Sequence, residues 1–99
     1  MANGTVTLSE ETKKQIRTVL KPHGIVRASV FGSVARGEAT PESDLDILVD
    51  FPAGKTLLDL ARLQRELTEA LGTKVDVLTY RSLHPLIKER VMSEQVSIL

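Results

Sequence analysis

The sequence predicts an α/β (α+β) fold, in which helices flank one small mixed β-sheet. Residues 25–31, 45–51 and 75–79 are short apolar runs rich in β-branched side chains, which is typical of strands. A leucine-rich helical segment separates the second run from the third. A strand, a helix and another strand in this order predict a right-handed crossover and a parallel strand pair.

The first helix is predicted to begin after Ser9, whose hydroxyl can cap it. Glu10 and Glu11 follow in the first turn, where the helix dipole favours acidic residues. Pro22 and Gly24 are expected to end this helix. Its inward stripe is predicted to contain Ile16, Val19 and Leu20.

The second helix is predicted to begin after Thr56 and to end before Gly72, which suits a helix C-terminus. Leucines recur at helical spacing along one side of it. We interpret this side as a packing face and not as a row of ligands. It contains Leu57, Leu60, Leu63, Leu67 and Leu71.

The last helix is predicted to begin at Pro85, because proline suits the first helical position. His84 is therefore interpreted as a cap or a surface residue. Residues 96–99 form an apolar end, which predicts either a short edge strand or a contact with a partner. The side chains expected to face inward from the helix are Leu86, Ile87 and Val91.

The length and composition of the chain limit which functions it can have. Residues 1–99 are predicted to form a single domain, with residues 1–7 as a loose tail. Thirteen basic residues balance thirteen acidic ones and are scattered, which disfavours a nucleic-acid strand as the direct substrate. Cysteine is absent, which excludes disulfides and thiolate metal sites. No segment has the length of a membrane span or resembles a signal peptide, so we expect a cytoplasmic protein.

A Gly-Ser turn follows the first predicted strand. Gly32 permits a tight turn and a close backbone approach, and the Ser33 hydroxyl can cap the next short turn. Backbone N–H groups exposed at such a turn form an anion site that suits phosphate. The alternative is that these residues make a turn and nothing more.

Two aspartates open the second predicted strand. Asp44 and Asp46 are two residues apart, so both point to one face of the strand, with Cα atoms roughly 6.5–7 Å apart. Paired carboxylates of this kind suit Mg²⁺ or Mn²⁺ bound together with substrate phosphates. The alternative is a solvated strand end with two surface acids. Asp50 has the same parity, but at the far end of the strand we interpret it as structural or solvated.

The two motifs together resemble those of a known family. GSVARG at residues 32–37 and SDLD at residues 43–46 are similar to the signature of the minimal nucleotidyltransferase (MNT, MntA-like) branch of the DNA polymerase β-like nucleotidyltransferase superfamily. That branch is the antitoxin half of HEPN–MNT toxin–antitoxin pairs. The superfamily also requires a third carboxylate on a neighbouring strand, and Asp76 in the third predicted strand supplies one.

The resemblance implies a polymerase β-like fold and a site with two Mg²⁺ ions, or Mn²⁺ in their place. In that site Asp44 and Asp46 hold both ions, while Asp76 binds the ion beside the acceptor and helps to deprotonate the acceptor hydroxyl. Gly32 and Ser33 hold the triphosphate of ATP. Arg36 either neutralises phosphate charge or pairs with Glu38, and the two possibilities stay open.

The function expected from the resemblance is transfer of AMP from ATP to a tyrosine hydroxyl of a partner HEPN ribonuclease toxin, which neutralises that toxin. The alternative is a non-catalytic antitoxin that neutralises a toxin by forming a complex. The presence of all three carboxylates and of the Gly-Ser turn argues against a decayed site.

Overall fold

One mixed sheet organises the structure, a computed structural model that describes residues 8–32, 35, 37 and 44–99. The predicted loose tail at residues 1–7 and most of the polar loop that precedes Asp44 lie outside these residues. Two short 3₁₀ turns, Lys21–His23 and Tyr80–Ser82, accompany the helices and strands. The elements, in chain order, are α1 (Glu10–Leu20), β1 (Ala28–Phe31), β2 (Leu45–Val49), α2 (Leu57–Leu71), β3 (Val75–Thr79), α3 (Pro85–Glu94) and β4 (Val96–Ser97).

The described strands form a sheet in the order β3-β2-β1-β4. β1 pairs antiparallel with both β2 and β4, whereas β2 and β3 are parallel. The mixed sheet and its parallel pair confirm the predicted fold class. β4 lies at one edge, which confirms the edge strand predicted near the C-terminus.

The two faces of the sheet differ because side chains alternate along a strand. Leu45, Ile47 and Val49 of β2 are fully buried in one core with residues of α1 and α2. The opposite face carries Asp46 of β2 and its register partner Asp76 of β3. The first face therefore anchors the strands, and the opposite face, which also carries the buried Leu48, presents the predicted site.

The predicted helix caps are confirmed. The Ser9 hydroxyl accepts a hydrogen bond from the Thr12 N–H at 3.1 Å. Thr56 forms a capping box with Asp59, whose carboxylate accepts from the Thr56 N–H at 2.8 Å. His84 caps α3, because its Nδ1 accepts from the Leu86 N–H at 3.1 Å.

Two strand predictions were too long. β1 begins at Ala28 and β2 ends at Val49, and these two residues are register partners. The apolar, β-branched character of residues 25–31 predicted one strand. Ile25 is indeed buried, but Val26 beside it is exposed and the segment before Ala28 is not assigned to a strand. Ile25 and Phe51 thus contribute to packing but lie outside the paired residues of β1 and β2.

The predicted inward face of α3 was wrong for two of its three side chains. Leu86 is 86% exposed and Ile87 is 50% exposed, while Val91 is partly buried. The buried apolar position at this point of the chain belongs to Leu83, which precedes the helix. The prediction that Leu57 of α2 packs inward was also wrong. Leu57 lines an open groove, and its side chain is exposed.

Two side chains of α2 occupy the outer edge of β3. The Val77 N–H donates to Gln64 Oε1 at 3.0 Å, and the Val75 N–H donates to Thr68 Oγ1 at 3.3 Å. These bonds satisfy backbone donors that an edge strand otherwise offers to another strand. They also fix the strand that carries Asp76.

Gln64→Leu is expected to lower the free energy of unfolding by about 1–3 kcal/mol, because it leaves the N–H of buried Val77 without an acceptor. Urea denaturation measures this change. Gln64→Glu is the matched control, since it keeps an acceptor oxygen and should lose much less. Equal stability of Gln64→Leu and the unmodified protein would contradict the assigned bond.

No helix in the described part of the chain is both long and apolar enough to cross a membrane.

Candidate active site

Three aspartates lie where β2 and β3 begin. Asp44 directly precedes β2, Asp46 is its second residue, and Asp76 is the second residue of β3. Asp46 and Asp76 are register partners in the parallel pair, so their side chains share one face of the sheet. Asp44 is two residues before Asp46, and the same alternation directs it toward that face. The structure thus brings the three predicted carboxylates onto adjacent strands.

The carboxylates influence one another electrostatically. The pKa of Asp46 is raised from its ordinary value of 3.8 to about 6. Partial burial is the largest cause, followed by the negative charge of Asp76 and then that of Asp44. A cation held among these groups would relieve this repulsion, because an opposite charge favours the ionised carboxylate.

The backbone of Gly32 lies directly against Asp46. Gly32 follows β1 with a φ of +79°, and a Cβ built at this position would lie 2.5 Å from Asp46 Oδ2. Its neighbour Phe31 is the register partner of Asp46. Glycine is therefore required both for the left-handed backbone and for the contact with the carboxylate. The turn and the aspartates belong to one site.

Two of the predicted site residues, Ser33 and Arg36, lie outside the described residues, and so does Glu38. Their roles in holding phosphate stay predictions.

Lys74 is a residue of this region that sequence reasoning missed. Its Nζ lies 3.6 Å from Asp44 Oδ2, and its carbonyl accepts the Leu45 N–H at 3.0 Å. Lys74 precedes β3 as Asp44 precedes β2, so the parallel register places them side by side. The parity of Lys74 with Asp76 was visible in the sequence, but the contact with Asp44 depends on the register between the strands.

The donor set suits a hard divalent cation. Carboxylate oxygens on one face of two strands are the ligands that Mg²⁺ and Mn²⁺ prefer. Among the residues that the structure describes, no three acidic or histidine side chains stand close enough together to enclose an ion as they are placed. Without a cation, the like-charged carboxylates repel one another. The chemistry of the donors and their shared face fit such a cation.

A buried polar cluster supports the same face of the sheet. Ser29 of β1 is buried, donates a hydrogen bond to Gln95 Oε1 at 2.5 Å and lies 2.7 Å from the Tyr80 hydroxyl. The Arg27 guanidinium lies over the Tyr80 ring at 4.2 Å from its centroid. This cluster joins β1 to the segments on either side of α3, and no sequence motif indicated it.

The raised pKa of Asp46 predicts a pH-dependent stability in the absence of divalent cations. An acid whose pKa is raised by folding stabilises the protein below its unfolded pKa, and this contribution is lost as the pH rises through the folded value. The unmodified protein should lose about 1–2 kcal/mol between pH 4 and pH 7, after allowance for solvent screening of a half-buried group. Asp46→Asn should not show this loss.

Urea denaturation in a chelating buffer at pH 4 and pH 7 measures this difference. Asp46→Asn should match the unmodified protein at pH 4 and be more stable at pH 7. Parallel changes of both proteins with pH would contradict the assigned interaction.

Comparison with known proteins identifies the family to which the chain belongs. A family model described as a nucleotidyltransferase domain matches residues 12–98, which include the three aspartates. A Methanocaldococcus jannaschii protein, provisionally named a protein adenylyltransferase, is 56% identical over 89 residues, or 90% of this chain and 96% of that protein. Protein adenylyltransferase MntA of Thermococcus cleftensis is 37% identical over 95 residues, or 88% of this chain and 96% of that protein.

Solved structures show the same fold. A structure provisionally assigned as a minimal nucleotidyltransferase has a TM-score of 0.77 and 46% identity, covering 87% of this chain and 88% of that one. A toxin–antitoxin structure with AMP-PNP has a TM-score of 0.78 at 22% identity, covering 88% and 72%. A structure of a tri-AMPylated Shewanella oneidensis HEPN toxin in complex with an MNT antitoxin has a TM-score of 0.72 at 20% identity, covering 91% and 71%.

The last two similarities, both under 25% identical, show the fold alone. The family model and the curated relatives span nearly the whole chain. The chain therefore belongs to the nucleotidyltransferase domain family and, within it, to the MntA-like minimal nucleotidyltransferases.

Proposed function

We propose that this protein transfers AMP from ATP to a tyrosine hydroxyl of a HEPN ribonuclease toxin, and that it acts in this way as an antitoxin in the cytoplasm. The observation that carries the proposal is the arrangement of Asp44, Asp46 and Asp76 on one face of adjacent strands, with the Gly32 backbone against Asp46. This arrangement combines a set of hard oxygen donors with a turn that can receive phosphate.

The proposed step is a substitution at the α-phosphorus of ATP. The acceptor oxygen forms a bond to this phosphorus, the bond from the phosphorus to the bridging oxygen of the β-phosphate breaks, and pyrophosphate leaves. The proton of the acceptor hydroxyl passes to the Asp76 carboxylate, which is partly exposed near the start of β3. The acceptor becomes a phosphodiester of AMP.

Divalent cations, when bound, would neutralise charge on the phosphates and on the attacking and leaving oxygens. Asp44 and Asp46 would hold two Mg²⁺ ions, with Mn²⁺ as a substitute, and Asp76 would share the ion nearest the acceptor. Gly32 and Ser33 would hold the triphosphate. Arg36 would contact phosphate or pair with Glu38.

A protein acceptor is supported by the relatives. Two of them carry the name protein adenylyltransferase, one provisionally, and one matching structure contains an AMPylated HEPN toxin beside an MNT antitoxin. The balanced charge of this chain offers no electrostatic track for a nucleic-acid strand. AMP on a tyrosine adds a bulky negative group, which near a ribonuclease site would repel RNA phosphates.

Neutralisation by binding alone is the competing function. The exposed Leu86 and Ile87 of α3 favour contact with another protein, and such contact would serve either function. The two functions differ in stoichiometry, because an enzyme can inactivate many toxin molecules whereas a binding antitoxin inactivates one equivalent.

The experiment is to titrate this protein against a purified HEPN toxin with Mg–ATP and to measure residual RNA cleavage. The proposal expects inactivation at about one-tenth of an equivalent, with the added mass mapped by peptide analysis to a tyrosine. The Asp44→Asn/Asp46→Asn variant should lose this effect. Full neutralisation by that variant at one equivalent, with no added mass, would establish the binding antitoxin instead.

A further inference from the structure

A groove lies at the far ends of β2 and β3, away from the end where the aspartates cluster. It is bounded by the β2–α2 loop and by the segment that follows β3, and its volume is about 470 Å³. Leu57 and Leu60 of α2, together with Phe51 and Leu78, give it an apolar lining. Neither the proposed chemistry nor the family motifs use this groove.

The groove contains apolar side chains that face water. Leu57 is 82% exposed and Leu78 is 39% exposed. Leu58 is as exposed as Leu57, but it lies outside the groove, beside Arg62 and Arg65. Large apolar side chains that converge on one concave surface mark an interaction site, whereas a single exposed leucine does not. Leu57 belongs to such a concave apolar surface, whereas Leu58 does not.

The charged residues of the groove indicate which kind of protein segment would bind there. Lys55 and Arg81 line it together with one acidic residue, Asp50, which leaves a net charge of +1. An apolar lining with basic residues at its rim complements a segment that has an apolar side chain and acidic neighbours.

The groove is continuous with the face that bears the aspartates. Leu78 is two residues from Asp76 on the edge strand β3, so the two side chains share a face and their Cα atoms lie roughly 6.5–7 Å apart. The Val75 and Val77 N–H groups on the outer edge of β3 already bond to α2 side chains. An occupant must therefore bind through side chains and cannot simply add a strand.

We propose that this groove docks the acceptor protein, through a surface segment in which an apolar side chain is flanked by acidic residues. The inference rests on the proposed function, since it assumes that the acceptor is a protein. Docking beside Leu78 positions the neighbouring surface of the acceptor over Asp76. Affinity for the acceptor then comes from the groove, while chemistry comes from the aspartates.

The test compares Leu57→Glu with Leu58→Glu, two identical changes at adjacent and equally exposed positions. With a purified HEPN toxin as the probe, Leu57→Glu should weaken binding by about tenfold or more and raise the KM for AMP transfer with kcat unchanged. Leu58→Glu should stay within about twofold of the unmodified protein. Arg81→Glu should weaken binding in the same direction. Affinity for Mg–AMP-PNP and the melting temperature should be unchanged in all three.

Normal toxin binding by Leu57→Glu, or equal losses in Leu57→Glu and Leu58→Glu, would overturn the docking groove. A toxin that binds through the groove but receives no AMP would overturn the proposed function and leave the groove standing. AMP transfer that is insensitive to Leu57→Glu would keep the function and place the acceptor elsewhere.

Discussion

Asp46→Asn is expected to reduce AMP transfer by on the order of 10³-fold or more, the largest effect of any single change in this protein. Asp46 is the central carboxylate, because β2 lies between β1 and β3 in the sheet. It contacts the Gly32 turn on one side and is the register partner of Asp76 on the other. An amide has one acceptor oxygen in place of two and no charge, so it cannot hold a divalent cation in the same way.

The measurement is single-turnover AMP transfer to the toxin, in parallel with Mg–AMP-PNP binding. Asp46→Asn should lose both, whereas Asp76→Asn should lose transfer and keep much of its nucleotide affinity. Glu69→Gln, an equal change of charge at an exposed position on α2, is the control and should be fully active. Equal losses of nucleotide affinity in Asp46→Asn and Asp76→Asn would show that the two roles are not separate.

Gly32→Ala is expected to lower AMP transfer by about a hundredfold. The new Cβ would lie 2.5 Å from Asp46 Oδ2, so either the carboxylate or the turn must move. A displaced carboxylate loses its alignment with the cation and the phosphates, and a displaced turn loses its approach to the triphosphate.

Gly72→Ala separates backbone strain from this contact. Gly72 also has a positive φ, +69°, but a Cβ there meets no atom within 4 Å. Both variants should lose about 1 kcal/mol of stability to the strained backbone. Gly32→Ala alone should lose activity at temperatures where it is fully folded. If the Gly32→Ala variant is folded and transfers AMP normally, the Gly-Ser turn has no catalytic role.

The sheet was predictable because its signals are local. Alternation along residues 44–49 fixed the face of Asp46, and strand-helix-strand order predicted the parallel pairing that aligns Asp46 with Asp76. The caps at Ser9 and Thr56 were predictable because a cap is a hydrogen bond between residues close together in the chain. For His84 the sequence left a cap and a surface position open, and the structure shows a cap.

Features that depend on distant residues were not predictable in this way. The Lys74–Asp44 ion pair requires the β2–β3 register, and the Ser29–Tyr80–Gln95 cluster joins segments that are far apart in the chain. Leu86 and Ile87 show the converse, since apolar character predicted burial although the helix offers these residues to solvent. Exposed apolar residues indicate an interaction site where several of them form one patch, as they do in the groove beside Leu57.

The most direct test of adenylyl transfer is to supply a HEPN toxin with ATP labelled at either the α- or the γ-phosphate and to follow the label. Transfer of AMP predicts that the α-label becomes attached to a toxin tyrosine, that the γ-label leaves in pyrophosphate, and that Asp46→Asn abolishes attachment. Attachment of the γ-label, or neutralisation of the toxin with neither label attached, would contradict the account.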